Sequence, residues 1–157
     1  MINKELWYNP NRTKYTNKNH NEGECVFCDQ ENVRKYLIWE TEHWIVRANA
    51  YPFIDYAILI IPKRHFEYVF ETTQLEGSWL LIIMEKLAKS WSKDKENPSF
   101  NFYVNNGPLS GQTQKHLHWH FIPRVPANQT VLELLDNFHK VKVTPEETAE
   151  LFKKLRC

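Results

Sequence analysis

The segment "KHLHWHFIPR", residues 115–124, alternates polar and apolar side chains without a break. A period of two is the signature of an extended strand. It would place His116, His118 and His120 on one face, about 6.6 Å apart per step. Leu117, Trp119 and Phe121 would then point the other way, into a core. A slip of one residue would bury all three histidines, so the apolar partners pin the register. A chain carrying this segment must therefore build a sheet with one face on a core and imidazoles on the other. One histidine on a strand is usually partly exposed or hydrogen-bonded, with no chemistry. Three on one face are different, because neighbouring imidazoles do not all charge cheaply at close range. The row reads as functional.

Other strands are legible around it. "YLIWET" and "HWIVRANA" are short β-branched and aromatic stretches suited to a strand pair. "DYAILIIP" is a nearly continuous apolar run, as expected of a buried central strand. Thr73 and Glu76 have capping-box spacing. Leu80, Ile83, Met84, Leu87, Ala88 and Trp91 follow at helical intervals, and "KDKENPS" closes that helix. "FNFYVNN" reads as a strand, "GPLSGQTQ" as a loop, and "KHLHWHFIP" as the last strand. The final helix starts at Thr144 with Pro145 in its first turn and Glu147 completing a second capping box. The order predicts an α+β fold, an antiparallel sheet with a long helix and a C-terminal helix packed on one side. Residues 1–24 read as a polar arm that Trp7 and Tyr8 could anchor, and residues 25–157 as a single domain.

Composition excludes several classes. Twenty Lys and Arg face 19 Asp and Glu, a net charge of +1, which offers no electrostatic case for a nucleic acid polymer or a membrane surface. The opening "MINKELWYNP" lacks the apolar stretch of a secretory signal, and "YAILIIP" and "WLLIIM" are far short of a membrane span. A cytoplasmic location is expected. Three cysteines do not make a disulfide framework. Cys25 and Cys28 are spaced C-x-x-C, whereas Cys157 is terminal. His20, His43 and His139 read as solvated.

Two chemistries fit the histidine row. The imidazoles could jointly ligate a catalytic metal, or one could attack phosphorus while the others hold phosphate and move protons. The preceding loop discriminates. "NNGPLSGQT" offers backbone donors near Gly107 and Gly111 and the side chains of Asn105, Gln112 and Thr113, an anion cradle. A metal hydrolase more often wants a carboxylate to activate water, and this segment has none. Phosphorus chemistry is favoured. The C-x-x-C pair alone admits a redox couple, half a zinc site or two buried thiols, but the strand-then-helix context of a redox motif is missing.

"HLHWHFIPR" after "NNGPLSGQT", together with "ILIIPKRH" and "CVFC", resembles the histidine triad family, in its zinc-carrying bacterial branch. The resemblance covers roughly two thirds of the chain, from Cys25 to Arg124. It implies hydrolysis at the α-phosphate of dinucleoside polyphosphates or nucleoside phosphoramidates. His118 would form a covalent nucleotidyl-histidine. His120 would assist the leaving group, with His116 the most ambiguous of the three. Asn105, Gln112 and Thr113 would hold the phosphate, and Asn49 the ribose. The resemblance also implies a structural zinc on Cys25, Cys28, His65 and His116, and a homodimer. Tyr51, Pro52 and Phe53 would wall a base pocket, although "NAYP" is equally good turn sequence. In one respect the chain departs from the pattern. Tyr56-Ala57 stands where the family often has Gly-His, so an imidazole that supports the site from behind is missing. Retention of His120, which uridylyltransferase- and phosphorylase-like relatives typically replace with glutamine, favours hydrolysis over transfer.

Overall fold

Ile58–Pro62 (β3) is apolar along its whole length because both of its faces are covered. In the computed structural model, which describes residues 25–125 and 143–155, β3 is the middle strand of a five-stranded antiparallel sheet. β1 (Leu37–Glu40) and β2 (Trp44–Ala48) flank it on one side, and β5 (Trp119–Arg124) then β4 (Ser99–Val104) on the other. The expected pairing of the first two strands is present, with Leu37 opposite Arg47 and Glu40 opposite Ile45. The arm at 1–24, "TVLELLDNF", His20, His139 and Cys157 lie outside the described residues.

Period-two alternation divides the sheet into two environments. Trp44, Val46, Ala48, Ile58, Ile60 and Phe121 face one way and build the main core. The helix α2 (Gln74–Ser92) lays Leu80, Ile83, Leu87 and Trp91 on that face. It begins at the expected capping box, where Thr73 Oγ1 accepts from the Glu76 N–H and the Glu76 carboxylate accepts from the Thr73 N–H. The helix α3 (Pro145–Lys154) starts at the Thr144–Glu147 box and adds Ala149 and Phe152. Each fully buried Leu, Ile or Phe in this stripe contributes about 1.5–3 kcal/mol, so the stripe rather than helix propensity holds α2 in place.

The opposite face carries Ile45, Arg47, Leu59, Ile61, His120 and Ile122. A short helix that the sequence pattern did not announce, α1 (Gln30–Arg34), covers part of it with Val33. Asp29 caps that helix by accepting from the Glu31 and Asn32 N–H groups at 3.0 and 3.2 Å. The expected strand at 115–123 is shorter than the alternation suggested and begins at Trp119. Residues 116–118 leave the β4 partner. The Leu117 N–H donates to the Phe66 carbonyl at 2.6 Å, in the segment that follows β3. Among the described residues no helix is long and apolar enough to cross a membrane.

Candidate functional site

That early departure separates the three histidines. His116, fully buried, turns toward the end of β3, while His118 and His120 line a pocket of about 350 Å³ on the face away from α2. Their ring centroids lie 5.0 Å apart at 62°. The His118 Nδ1–H donates to the His116 carbonyl at 2.9 Å. This bond leaves Nε2 as the unprotonated nitrogen of the neutral ring. Burial lowers the pKa of His118, opposed by that carbonyl contact, so the imidazole keeps its lone pair at neutral pH.

His116 is held by the mirror arrangement. Its Nε2–H donates to the Pro62 carbonyl at 2.9 Å, and its Nδ1 faces Cys25 Sγ at 3.2 Å and Cys28 Sγ at 3.7 Å. His65 Nδ1 lies 3.3 Å from Cys28 Sγ. The ligand atoms of Cys25, Cys28, His65 and His116 all fall within 4.8 Å of one another. Two thiols and two imidazoles in this arrangement are a tetrahedral zinc donor set, and both cysteines are free. Burial and the neighbouring Cys25 push the Cys28 thiol up to about 11, so thiolates gather here only around a cation. Burial pulls His116 down to about 4, which leaves Nδ1 ready to ligate. The Pro62 carbonyl behind Nε2 is the usual partner that orients a ligating imidazole. The residues fit zinc, and His116 belongs to that group rather than to the pocket.

Arg64 immediately precedes His65 in the chain. Its guanidinium donates to both carboxylate oxygens of buried Glu76, at 3.0 and 2.9 Å, and to the Glu71 carbonyl at 2.7 Å. The fork ties the segment after β3 to the first turn of α2.

Residues 105–113 form the other wall. Asn105 and Thr113 line the pocket, and Asn105 Nδ2 donates to the Gly111 carbonyl at 3.4 Å. Gly107 (φ 83°, ψ 162°) and Gly111 (φ 86°) occupy backbone regions that side chains resist. Their N–H groups are spent within the loop, on Gln112 Oε1 and on the Pro108 carbonyl. Gln112 itself does not line the pocket. Besides that bond its Nε2 donates to the carbonyls of Glu67 and Gln114, making it a brace for the loop. Gln114, which sequence reasoning passed over, is buried and lines the pocket instead.

Asn49 is buried at the pocket wall and also makes the turn, its Oδ1 accepting from the Tyr51 N–H at 3.0 Å. The turn reading of "NAYP" thus holds for that residue, which also lines the pocket. Tyr51 and Phe53 line the pocket, whereas Pro52 is buried and does not. Unforeseen lining residues include Phe27, Arg47 and Tyr103. Phe27 sits between the two cysteines and packs edge-on against His116 and His118, at 5.7 and 5.2 Å. The metal loop thus forms one wall of the pocket. Arg47, buried in β2, donates to the Asn32 carbonyl at 2.7 Å and so secures the end of α1. Tyr56, which stands where the family often has glycine, takes φ 62°, in the left-handed region, and Ala57 is buried.

A family model, the HIT domain, matches residues 30–127. The chain belongs to the HIT family. An uncharacterized HIT-like protein from Mycoplasma genitalium is 31% identical over 102 residues, spanning 64% of this chain and 72% of its own. An adenosine 5'-monophosphoramidase from Candida albicans is 26% identical over 132 residues, with 74% of this chain and 87% of the relative covered. A zinc-bound histidine triad family protein from Mycobacterium smegmatis shares the fold, with a TM-score of 0.66 at 22% identity, over 84% of this chain and 92% of that one. The HIT assignment agrees with the α+β architecture and with the metal-type group at Cys25, Cys28, His65 and His116.

Proposed function

We propose that this HIT chain hydrolyses nucleotides at the α-phosphate through a covalent nucleotidyl-histidine, acting on dinucleoside polyphosphates or nucleoside phosphoramidates. The observation that carries this reading is His118. Its Nδ1–H is pinned to a backbone carbonyl and its Nε2 is left for the pocket it lines. An attacking imidazole gains positive charge as its bond to phosphorus forms. The Nδ1–H bond to the His116 carbonyl strengthens as that charge develops, which favours the transition state over the ground state. His118 Nε2 would bond to the α-phosphorus while the bridging P–O or P–N bond breaks, and the leaving group would take a proton held at His120. Water would then attack the same phosphorus and return a proton to His120 as the Nε2–phosphorus bond breaks, releasing the nucleoside monophosphate and restoring both rings.

Asn105 and Thr113 supply donors for the non-bridging oxygens, with Gln114 in the place first given to Gln112. Fixed donors matter more here than further covalent partners. Asn49 serves the ribose, and Tyr51, Phe53 and Phe27 the base. Zinc on Cys25, Cys28, His65 and His116 would hold the Phe27 wall and the His116 carbonyl in place. The phosphoramidase name of the Candida albicans relative supports the substrate class. The reading extends to a cytoplasmic homodimer, for which β4 is the outer strand of the sheet among the described residues.

The test is to incubate the chain, and a His118→Ala variant, with a dinucleoside tetraphosphate and with an adenosine phosphoramidate, with and without orthophosphate. Monophosphate release and a protein-bound nucleotide, both lost in the variant, are expected. Diphosphate formed only with orthophosphate would point to a phosphorylase. Tight binding without turnover of either substrate would replace the enzyme with a nucleotide-binding module.

A further inference from the structure

His120 is opposite Tyr103 in the β4–β5 register. Their rings stack face to face, with centroids 4.4 Å apart and planes 9° from parallel. Phe53 closes a third side, 6.2 Å from His120 and 6.4 Å from Tyr103. Ala57 and Ile122 fill the space beneath Phe53 and Tyr103. On its remaining side His120 meets His118 at 5.0 Å, and His118 meets Phe27 at 5.2 Å. The two imidazoles therefore sit in a continuous row of rings, Phe27, His118, His120, Tyr103, closed by an aromatic side chain at each end.

We propose that Tyr103 is a positioning residue: its ring face, stacked on His120, sets the plane of that imidazole and thereby its aim at the reacting phosphate. The inference rests on the hydrolase reading above and deepens it. Rotation about the last side-chain bond of a histidine is soft, with broad minima, so a strand backbone alone does not fix where the ring nitrogens point. A parallel ring at van der Waals distance removes that freedom, because tilting the imidazole would break contact over its whole face. The phenol hydroxyl is not needed for this, only the ring. A proton donor aimed wrongly by about 1 Å loses on the order of a hundredfold in rate.

The experiment uses the zinc-loaded full chain and compares Tyr103→Phe, Tyr103→Leu and, should the leucine variant fail to fold, Tyr103→Val. Nucleoside phosphoramidate turnover gives kcat and KM, and NMR of the histidine rings reads the ring-current shift of the His120 protons. Phenylalanine should keep kcat within about twofold of wild type and retain the upfield His120 signals. The aliphatic variants should lose them and drop kcat about ten- to a hundredfold, with KM changed far less. Unchanged kcat in a folded aliphatic variant overturns the inference. Equal damage from phenylalanine also overturns it, by assigning the role to the hydroxyl. If wild type turns over no nucleotide, the hydrolase reading fails, and the NMR comparison still decides: His120 signals that do not move between wild type and the aliphatic variant overturn the stacking role.

Discussion

Glu76 is 5% exposed and receives donors from every side, namely both arms of Arg64 and the Thr73 N–H and hydroxyl at 2.8 Å each. These contacts, that of Arg64 foremost, lower its pKa from 4.5 to about 2. At about 1.36 kcal/mol per unit this corresponds to roughly 3 kcal/mol of stability. Arg64 is 48% exposed at its side chain, and solvent screening of that partner reduces the figure to about 2 kcal/mol. Because the folded pKa is depressed, the contribution is complete above about pH 4.5 and disappears as pH falls toward 2. Glu76→Gln keeps the shape and removes the charge. At pH 7 it should lower Tm by about 4–8 °C for a chain of this size. The gap from wild type should narrow as pH is lowered from 5 to 3, because the carboxyl of the unfolded chain takes up its proton there while the native one stays charged, and close toward pH 2. Urea unfolding of both proteins at several pH values measures it. Both proteins are measured after chelator treatment, so that zinc loss does not enter the difference. A gap that stays constant from pH 7 to 3, or a variant as stable as wild type at pH 7, would refute the reasoning. The variant should also bind zinc more weakly, because Arg64 adjoins His65.

Two further outcomes follow from the same geometry. Zinc held at a hundred times its Kd should add about 2.7 kcal/mol, seen as a rise in Tm of about 5–10 °C over the chelator-treated protein; Cys28→Ser should abolish most of that rise. Gly107→Ala meets no steric block, as the added Cβ would lie 3.8 Å from Tyr68, but φ 83° and ψ 162° impose about 1–3 kcal/mol of strain. It should lower Tm and raise KM through the displaced loop, which thermal melts and steady-state kinetics would record.

Much of this arrangement is written in local patterns. Both capping boxes, the apolar stripe of α2 and the unbroken apolar run of β3 depend on neighbours within a turn or a pleat, and they formed where the residues placed them. The two cysteines, His65 and His116 were legible as a donor set through resemblance alone. Spacing could not bring together residues that Cα by Cα lie 91 positions apart, as Cys25 and His116 do in sequence. Alternation misled at 116–118. Period two describes a strand only while a partner strand continues, and the Phe66 carbonyl captured the Leu117 N–H first. That single long-range bond turned His116 to the metal group and left a pair of imidazoles, not three, at the pocket. Gln112 likewise looked free in one dimension and was claimed by Gly107, Glu67 and Gln114 in three.

The sequence by itself determined the elements, the sidedness of the sheet and the kinds of donor available, because those follow from hydrophobic period and backbone capping over a few residues. Tertiary structure decided which nitrogen of His116 and of His118 is held by a carbonyl, that Phe27 and Tyr103 close the row of rings, and that Gln114 rather than Gln112 reaches the pocket. Those outcomes turn on contacts between strands and loops distant in the chain, where the last hydrogen bond or ring face to be satisfied depends on how every other group has already been placed.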